Sequence, residues 1–411
     1  MIKRLIAIAF IFCCTAVAWA VLGTTILSRT YGLRSRLQSS VASTWGAPQQ
    51  QKPPVASYVQ IEPRTEETVE NGRKTVRTTQ EKAVKTLPLE STRAQVGLDL
   101  EHRQKGLLWY STYKVAFSGA YTFRNTTDQD RDVTFKLEFP AAKAIYDDLT
   151  FTVDGAPAAL TNNTSGASTV ARVSAGKTAV LKVAYRSQGL ESWRYNFGGD
   201  VSQVKDFSLR MTTNFKAIDF ADDTLSPSEK RETAAGWELV WSYKNLVSGF
   251  QIGMRMPEKL QPGPLAGQIS YFAPVSLFFF FFLMLIITTV RGIELHPMNY
   301  FFLAAAFFSF HLLLAYLVDH ISIHAAFLIS SAVSILLVVS YLRLVVGMRF
   351  AAVEAGLAQL IYLVLFSYAF FLEGFTGLAI TIGSILTLFV VMQMTGRIRW
   401  AEKFVAQPSK L

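Results

Sequence analysis

Seven polar residues stand out in the largely apolar C-terminal third for side chains able to move a proton, carry charge or bind a metal: His296, His311, Asp319, His320, His324, Arg343 and Glu354. Burying an ionisable group deep in an apolar segment is unfavourable, so His311, near the middle of its run, is the first functional candidate. Asp319, His320 and His324 gather at the end of that run. If a helix begins early enough there, the two histidines share a face and with the carboxylate form a zinc-ligating set. One pair and one carboxylate is a weak signal, and helix caps or interfacial polar residues are the competing reading. Glu354 and Gln359, with Arg343 ending the preceding run, suggest a charged pair on the opposite side. Ser330, Ser334 and Tyr341 run down one helix face, and Gly377, Thr381 and Ser384 down another; small and hydroxylated residues at such spacing pack helices together. The chain has no His-Glu-x-x-His helix, no Gly-x-Ser-x-Gly elbow and no phosphate-cradling loop. It is read as non-enzymatic, with no catalytic residue, metal or cofactor assigned.

The elements that hold these residues are apolar stretches at Phe272 to Val290, Met298 to Val318, Ile321 to Leu342, Ala351 to Leu372 and Thr376 to Met394. Each matches the roughly 20 residues of a membrane crossing. Arg291, Arg343, Arg349, Arg397, Arg399 and Lys403 fall on one side of such a bundle, while the turns Asp319 to His324 and Leu372 to Thr376, which holds Glu373, have no Lys or Arg. The positive-inside rule therefore places Arg291 and the C-terminus in the cytoplasm. An apolar run from Leu5 to Leu27 follows Lys3 and Arg4. It continues beyond the small-residue site Ala18 to Ala20, which favours an uncleaved anchor over a signal peptide. Arg29, Arg34 and Arg36 after the run oppose this orientation, but reversing it would move six basic residues outside. The expectation is a multi-pass bacterial inner-membrane protein with six helices, both termini cytoplasmic and a large domain in the periplasm.

Leu33, Leu37, Val41 and Trp45 recur every four residues, so the first helix continues outward as a stalk. Gly46 to Pro48 end it, and Gln49 to Pro54 read as a linker. Beyond, the period changes to two. Asn71 and Gly72 form a hairpin turn between Thr65 to Val69 and Lys74 to Thr78. Alternating runs follow at Tyr113 to Phe123, Val133 to Phe139, Leu149 to Val153, Leu181 to Tyr185, Phe207 to Met211, Trp237 to Tyr243 and Phe250 to Met256. They predict a mainly antiparallel β-sandwich. The fold class is thus an α+β membrane protein. An anchor helix at 1–27 leads through a stalk and linker at 28–56 to a β-rich domain at 57–257. A second linker at 258–270 precedes a five-helix bundle at 271–403 and a tail at 404–411. Trp109 with Tyr110, and Trp193, Tyr195 and Phe197, are sugar-stacking candidates but fit core packing better. Asp147 with Asp148 and Asp222 with Asp223 lack calcium-loop spacing and read as turns. The chain's two cysteines, Cys13 and Cys14, lie in the first apolar run, leaving the β domain to fold without disulfides. The net charge of +10 is explained by cytoplasmic anchors and the basic stalk, and no basic patch interleaved with aromatics suggests nucleic acid.

The stretches Leu295 to Tyr300, Phe310 to Leu314, Tyr316 to Ile321, Tyr341 to Arg343 and Thr395 to Trp400 resemble the inner-membrane CreD family of bacterial envelope proteins. The likeness covers Tyr271 to Ala401, with a weaker echo at Ser43 to Gly46 and Gln49. It departs where Lys52, Pro53 and Pro54 replace an expected Gly-Pro and apolar strand, and the β domain matches poorly. The resemblance implies a non-catalytic role in envelope integrity or stress response. The partners expected are the lipid bilayer, a periplasmic or membrane protein, and a second copy of the chain. Alternatives are a small transporter or channel using the polar residues of the helices, and a membrane metallohydrolase built on Asp319, His320 and His324. The absence of an obvious inverted repeat or Gly/Pro-broken helix pair counts against transport.

Overall fold

The computed structural model describes residues 2–70, 73–106, 108–142, 144–198, 202–372 and 374–396. The chain divides into two compact units: Met1–Arg36, Gly106–Leu108 and Leu260–Leu411 form a helical unit, and Leu37–Lys105 with Trp109–Lys259 a β unit.

In chain order the strands are β1 (Gln49–Gln51), β2 (Val55–Glu70), β3 (Arg73–Thr86), β4 (Leu89–Lys105), β5 (Leu108–Arg124), β6 (Arg131–Glu138), β7 (Tyr146–Val153) and β8 (Ala156–Pro157). There follow β9 (Thr161–Asn163), β10 (Gly166–Val173), β11 (Thr178–Leu190), β12 (Ser192–Tyr195), β13 (Ser202–Thr213), β14 (Glu229–Glu232), β15 (Trp237–Ser248) and β16 (Ile252–Arg255). They make an eight-stranded sheet in the order β14-β15-β13-β4-β5-β11-β7-β8, a five-stranded sheet β3-β2-β6-β10-β9 and a three-stranded sheet β1-β12-β16. The alternation read from sequence underlies the long strands: in β5, Tyr113, Val115 and Phe117 are buried while Lys114 and Ala116 are exposed. Phe123 of β5 meets Phe135 of β6 edge-on with centroids 5.7 Å apart, so the two larger sheets share one core, as a sandwich requires. Trp193 and Tyr195 belong to that core and are not surface platforms. Among the described residues the strand ladders β1 with β12 and β4 with β13 are parallel.

The segment expected as a linker begins instead with a strand. Gln49 and Gln51 are buried because each amide has partners: Gln49 Nε2 donates to Ser187 Oγ (2.8 Å) and to the Gln188 carbonyl (2.9 Å), and the Tyr185 hydroxyl donates to Gln51 Oε1 (2.6 Å). A buried amide is tolerated only when so satisfied. Gly46, with φ of 143°, turns the preceding helix into β1, and a Cβ there would stand 2.2 Å from the Gln188 carbonyl oxygen. The predicted hairpin extends further than its sequence signal: β2 and β3 pair from Ser57 opposite Thr86 to Glu70 opposite Arg73. Its Asn71 and Gly72 lie outside the described residues. Asp223 adopts positive φ in a turn, as expected, whereas Asp147 and Asp148, read as a turn, lie within β7, where the positive φ of Asp148 accompanies a register shift against β11.

Burial pushes the hydroxyl ionisations of Tyr113, Tyr185 and Tyr195 above the ordinary value of 10.0. A group whose ionisation is raised in the folded state stabilises it fully below the unfolded value, and that contribution is lost as pH rises beyond it. The β unit is therefore expected to lose stability above about pH 10, with tyrosinate absorbance rising in step with unfolding. Ionisation of these tyrosines without loss of structure would contradict their placement in the core.

The helices are α1 (Ile2–Thr44), α2 (Pro262–Arg291), α3 (Pro297–Leu317), α4 (Ile323–Val345), α5 (Phe350–Phe371) and α6 (Thr376–Thr395). All six are long and apolar enough to cross a membrane. The stalk continues the first apolar run without a break, and its residues from Leu37 onward belong to the β unit. The second linker is shorter than expected, because α2 starts at Pro262; proline is compatible with a first helical turn, where its missing N–H has no intrahelical partner. Glu373, the basic residues Arg397, Arg399 and Lys403, and the tail from 404 lie outside the described residues. Alpha-helical hydrogen bonding is interrupted in α5 by π-helical stretches, Phe350–Ala355 and Leu360–Leu365.

Candidate functional site

His311 is fully buried on α3. Its Nδ1 lies 3.1 Å from the Phe307 carbonyl. A carbonyl only accepts, so Nδ1 carries a proton, and in the neutral ring Nε2 presents a lone pair. Nε2, like the indole Nε1 of Trp19, has no hydrogen-bond partner among the described residues. The Trp19 ring from α1 stands edge-on to His311 at 5.7 Å and to Phe308 at 5.2 Å. The N-terminal helix is thus part of the bundle core and not a separate anchor beside five helices.

Three close approaches bring α1 against α2. Gly23 leaves room for the Tyr271 backbone, Gly267 for Leu27 and Gly263 for Thr30. Small residues four apart, here Gly263 and Gly267, let helix backbones approach closely.

A polar chain then stitches three helices. Gln359 Nε2 of α5 donates to Ser334 Oγ of α4 (2.7 Å), which donates to the Ala306 carbonyl of α3 (2.6 Å). Tyr341 of α4 donates to Asn299 Oδ1 on α3 (2.8 Å). The π-helical turn supplies another fastening. Phe366 N–H reaches the Ile361 carbonyl instead of that of Tyr362, and the Tyr362 carbonyl accepts from the Ser276 hydroxyl of α2. Tyr362 also donates to Thr387 Oγ1 of α6 at 2.8 Å. The packing role expected of Ser334 and Tyr341 holds, whereas that of Gly377, Thr381 and Ser384 does not. Thr381 and Ser384 hydrogen-bond carbonyls of their own helix, and among the described residues nothing from another helix lies within 4 Å of where a Gly377 Cβ would stand.

The charged candidates are placed separately. Asp319 pairs with Arg29 of α1 at 2.5 Å. Glu354 pairs with Arg291 and, among the described residues, not with Arg343, which is exposed in the last turn of α4. His296 caps α3, its Nδ1 accepting from Met298 N–H at 3.2 Å, with Pro297 at the first helical position. His320 is exposed in the turn before α4, and His324 rests against Phe371 at 5.3 Å. Because α4 starts at Ile323 behind a Ser322 cap, the two histidines do not share a helical face. Among the described residues no three of His, Cys, Asp and Glu converge in metal-binding fashion.

Sequence reasoning missed Trp19, Ser276, Arg291 as a partner, and the Tyr362–Thr387 pair. The available signals were a single tryptophan in mid-run and Gly23 one turn beyond it.

The family profile described as inner membrane protein CreD matches residues 1–263 and 268–401. The chain belongs to the CreD family. The CreD match runs through the β unit as well as the helices, which corrects the narrower likeness read from sequence. No curated protein matches. Among solved structures, a putative nutrient binding protein from Legionella pneumophila is 9% identical, with TM-score 0.31, over 57% of this chain and 76% of its own. An M1 zinc metallopeptidase from Deinococcus radiodurans is 12% identical, with TM-score 0.25, over 41% of this chain and 42% of its own. Neither resemblance is close enough to inform a CreD protein.

Proposed function

We propose that this CreD protein is a non-catalytic component of the bacterial envelope. Its β unit lies in the periplasm and binds a partner there, and its helices hold that unit at the inner membrane. The observation that carries the reading is where the polar groups of the helical unit are engaged. Gln359, Ser334, Ser276, Tyr341, Tyr362 and Glu354 are joined to other helices and so serve to fasten the bundle. Two ion pairs fit an alternating path of the helices through the membrane. Arg29–Asp319 joins the end of the first apolar run to the α3–α4 turn, and Arg291–Glu354 joins the end of α2 to the start of α5. In an alternating path through the membrane these pairs fall at opposite ends. Arg29, which opposed the orientation with both termini cytoplasmic in the charge count, is offset by a carboxylate.

Transport remains the second reading, favoured by the unpartnered His311 Nε2 and Gln359 Oε1 and by the π-helical turns of α5, a distortion frequent at functional sites. Rescue of an envelope-stress defect in cells lacking the protein separates the two. His311→Ala is expected to rescue fully, and deletion of Gln49 to Pro257 to abolish rescue, each at normal membrane abundance. Failure of His311→Ala at normal abundance would transfer the function to the bundle.

A further inference from the structure

The eight-stranded sheet splits where β13 meets β4. Their parallel ladder begins at Phe207 opposite Thr92, although β13 starts at Ser202 and β4 at Leu89. Asp206, with φ of 40°, marks the break. Arg93 closes it, donating to both Asp206 carboxylate oxygens at 2.7 Å and to its carbonyl at 2.5 Å. Upstream, Gln203 to Lys205 stay paired with β15 on one side, and the ladder with β4 does not reach them on the other.

That side opens into a cleft of about 710 Å³. Its lining includes the aromatic side chains of Phe123, Tyr195 and Phe207 from the core. Three lysines line it, Lys52, Lys136 and Lys205, against a single glutamate, Glu138. Lys52 pairs with Glu138 at 3.4 Å and Lys205 reaches Glu90 at 4.0 Å, while among the described residues Lys136 has no ion pair. An open strand edge, an apolar floor and a cationic rim therefore meet in one place.

We propose that this cleft binds an extended acidic peptide segment, which adds to the edge of β13 along Gln203 to Lys205. Backbone hydrogen bonds to the edge hold the segment. Its alternate apolar side chains rest on the aromatic floor and its carboxylates meet the lysines. The inference rests on the β unit being the partner-binding part and names its site and the partner's chemistry.

The test uses the full chain in zwitterionic lipid nanodiscs and a fluorescein-labelled alternating Val-Glu octapeptide, followed by anisotropy. Saturable binding is expected, weakened about tenfold or more by Lys136→Glu with Lys205→Glu and less by the corresponding glutamines. The same peptide methylated on alternate backbone nitrogens is expected to bind far more weakly, and an alternating Val-Lys peptide not to bind. The proposal is overturned by no binding of the Val-Glu peptide, by equal binding of the methylated one, or by unchanged affinity in the double variant. Dodecyl phosphate binding at the cleft with the peptide excluded would also overturn it, pointing to a small amphiphile. Rescue in cells separates this proposal from the broader one. If the deletion of Gln49 to Pro257 fails and the charge-reversed variant rescues fully, the cleft loses its role and the binding domain keeps its own. If the deletion rescues, the broader reading falls.

Discussion

Trp193→Ala is expected to lower the stability of the β unit by roughly 3–5 kcal/mol. Trp193 is fully buried on β12, the middle strand of the small sheet, where it stands opposite Gln49 on one side and Met254 on the other. Its ring lies 6.4 Å from that of Phe117, which connects this sheet to the eight-stranded one. The indole Nε1 has no hydrogen-bond partner among the described residues, so truncation removes packing and leaves a cavity that strands on both sides hold open. Since domains are stable by only about 5–15 kcal/mol, the loss is a large fraction of the total. Urea-dependent pulse proteolysis of the full chain in detergent measures it. A midpoint equal to that of the parent would show that the small sheet does not contribute to the core. Trp109→Ala is the contrast. Trp109 has Lys259 Nζ 3.6 Å from its ring centroid and is only half-buried, so a loss of about 1 kcal/mol is expected.

Gly23→Leu is expected to separate α1 from α2. A Cβ at this position would stand 3.1 Å from the N, Cα and Cβ of Tyr271, and backbone atoms cannot rotate aside as a side-chain tip can. Neighbouring contacts leave little slack, because Gly267 and Gly263 are already filled by Leu27 and Thr30. Association of helices in lipid depends on such packing, since burial of apolar surface gives little advantage there. With Cys13→Ser and Cys14→Ser as background, cross-linking of Arg29→Cys to Asp319→Cys by a short bis-maleimide reports the position of α1. Gly23→Leu is expected to reduce the yield several-fold. Gly32→Leu, where no atom lies within 4 Å of the new Cβ, is expected to leave it unchanged. Equal yields in the two variants would mean that α1 does not depend on this crossing.

The long strands were legible because residues such as Tyr113, Val115 and Phe117 mark one face by chemistry alone. β4 was not read, although Ala94, Val96 and Leu98 are buried, because its small apolar residues alternate with arginine, glutamine and aspartate in a charged context. β1 reads as linker because nothing local distinguishes three glutamines from a polar tether. The burial of Gln49 and Gln51 depends on Ser187 and Tyr185, far along the chain. Helix positions followed from length and apolarity, but partner choice did not. Arg343 is nearer Glu354 in sequence than Arg291 is, and the fold selects the more distant cation. The π-helical turns of α5 have no residue signature, so the carbonyl that Ser276 engages was invisible before the backbone was seen. The histidine cluster was legible as a cluster, and its dispersal depends on a helix starting three residues past His320.

The parallel pairing of β4 with β13 also bears on how the molecule is made. The two strands are on the order of a hundred residues apart, and β4 sits in the middle of the large sheet. During synthesis β4 and β5 exist long before β13 is available, so the half-built sheet has an open side for that whole interval. Contacts so distant are slow to form, and exposed strand sides invite pairing with other chains. Completion of the β unit therefore falls late in the birth of the polypeptide, just before α2 emerges, and the newborn chain is most vulnerable to misassembly or to proteases in the interval before β13 arrives.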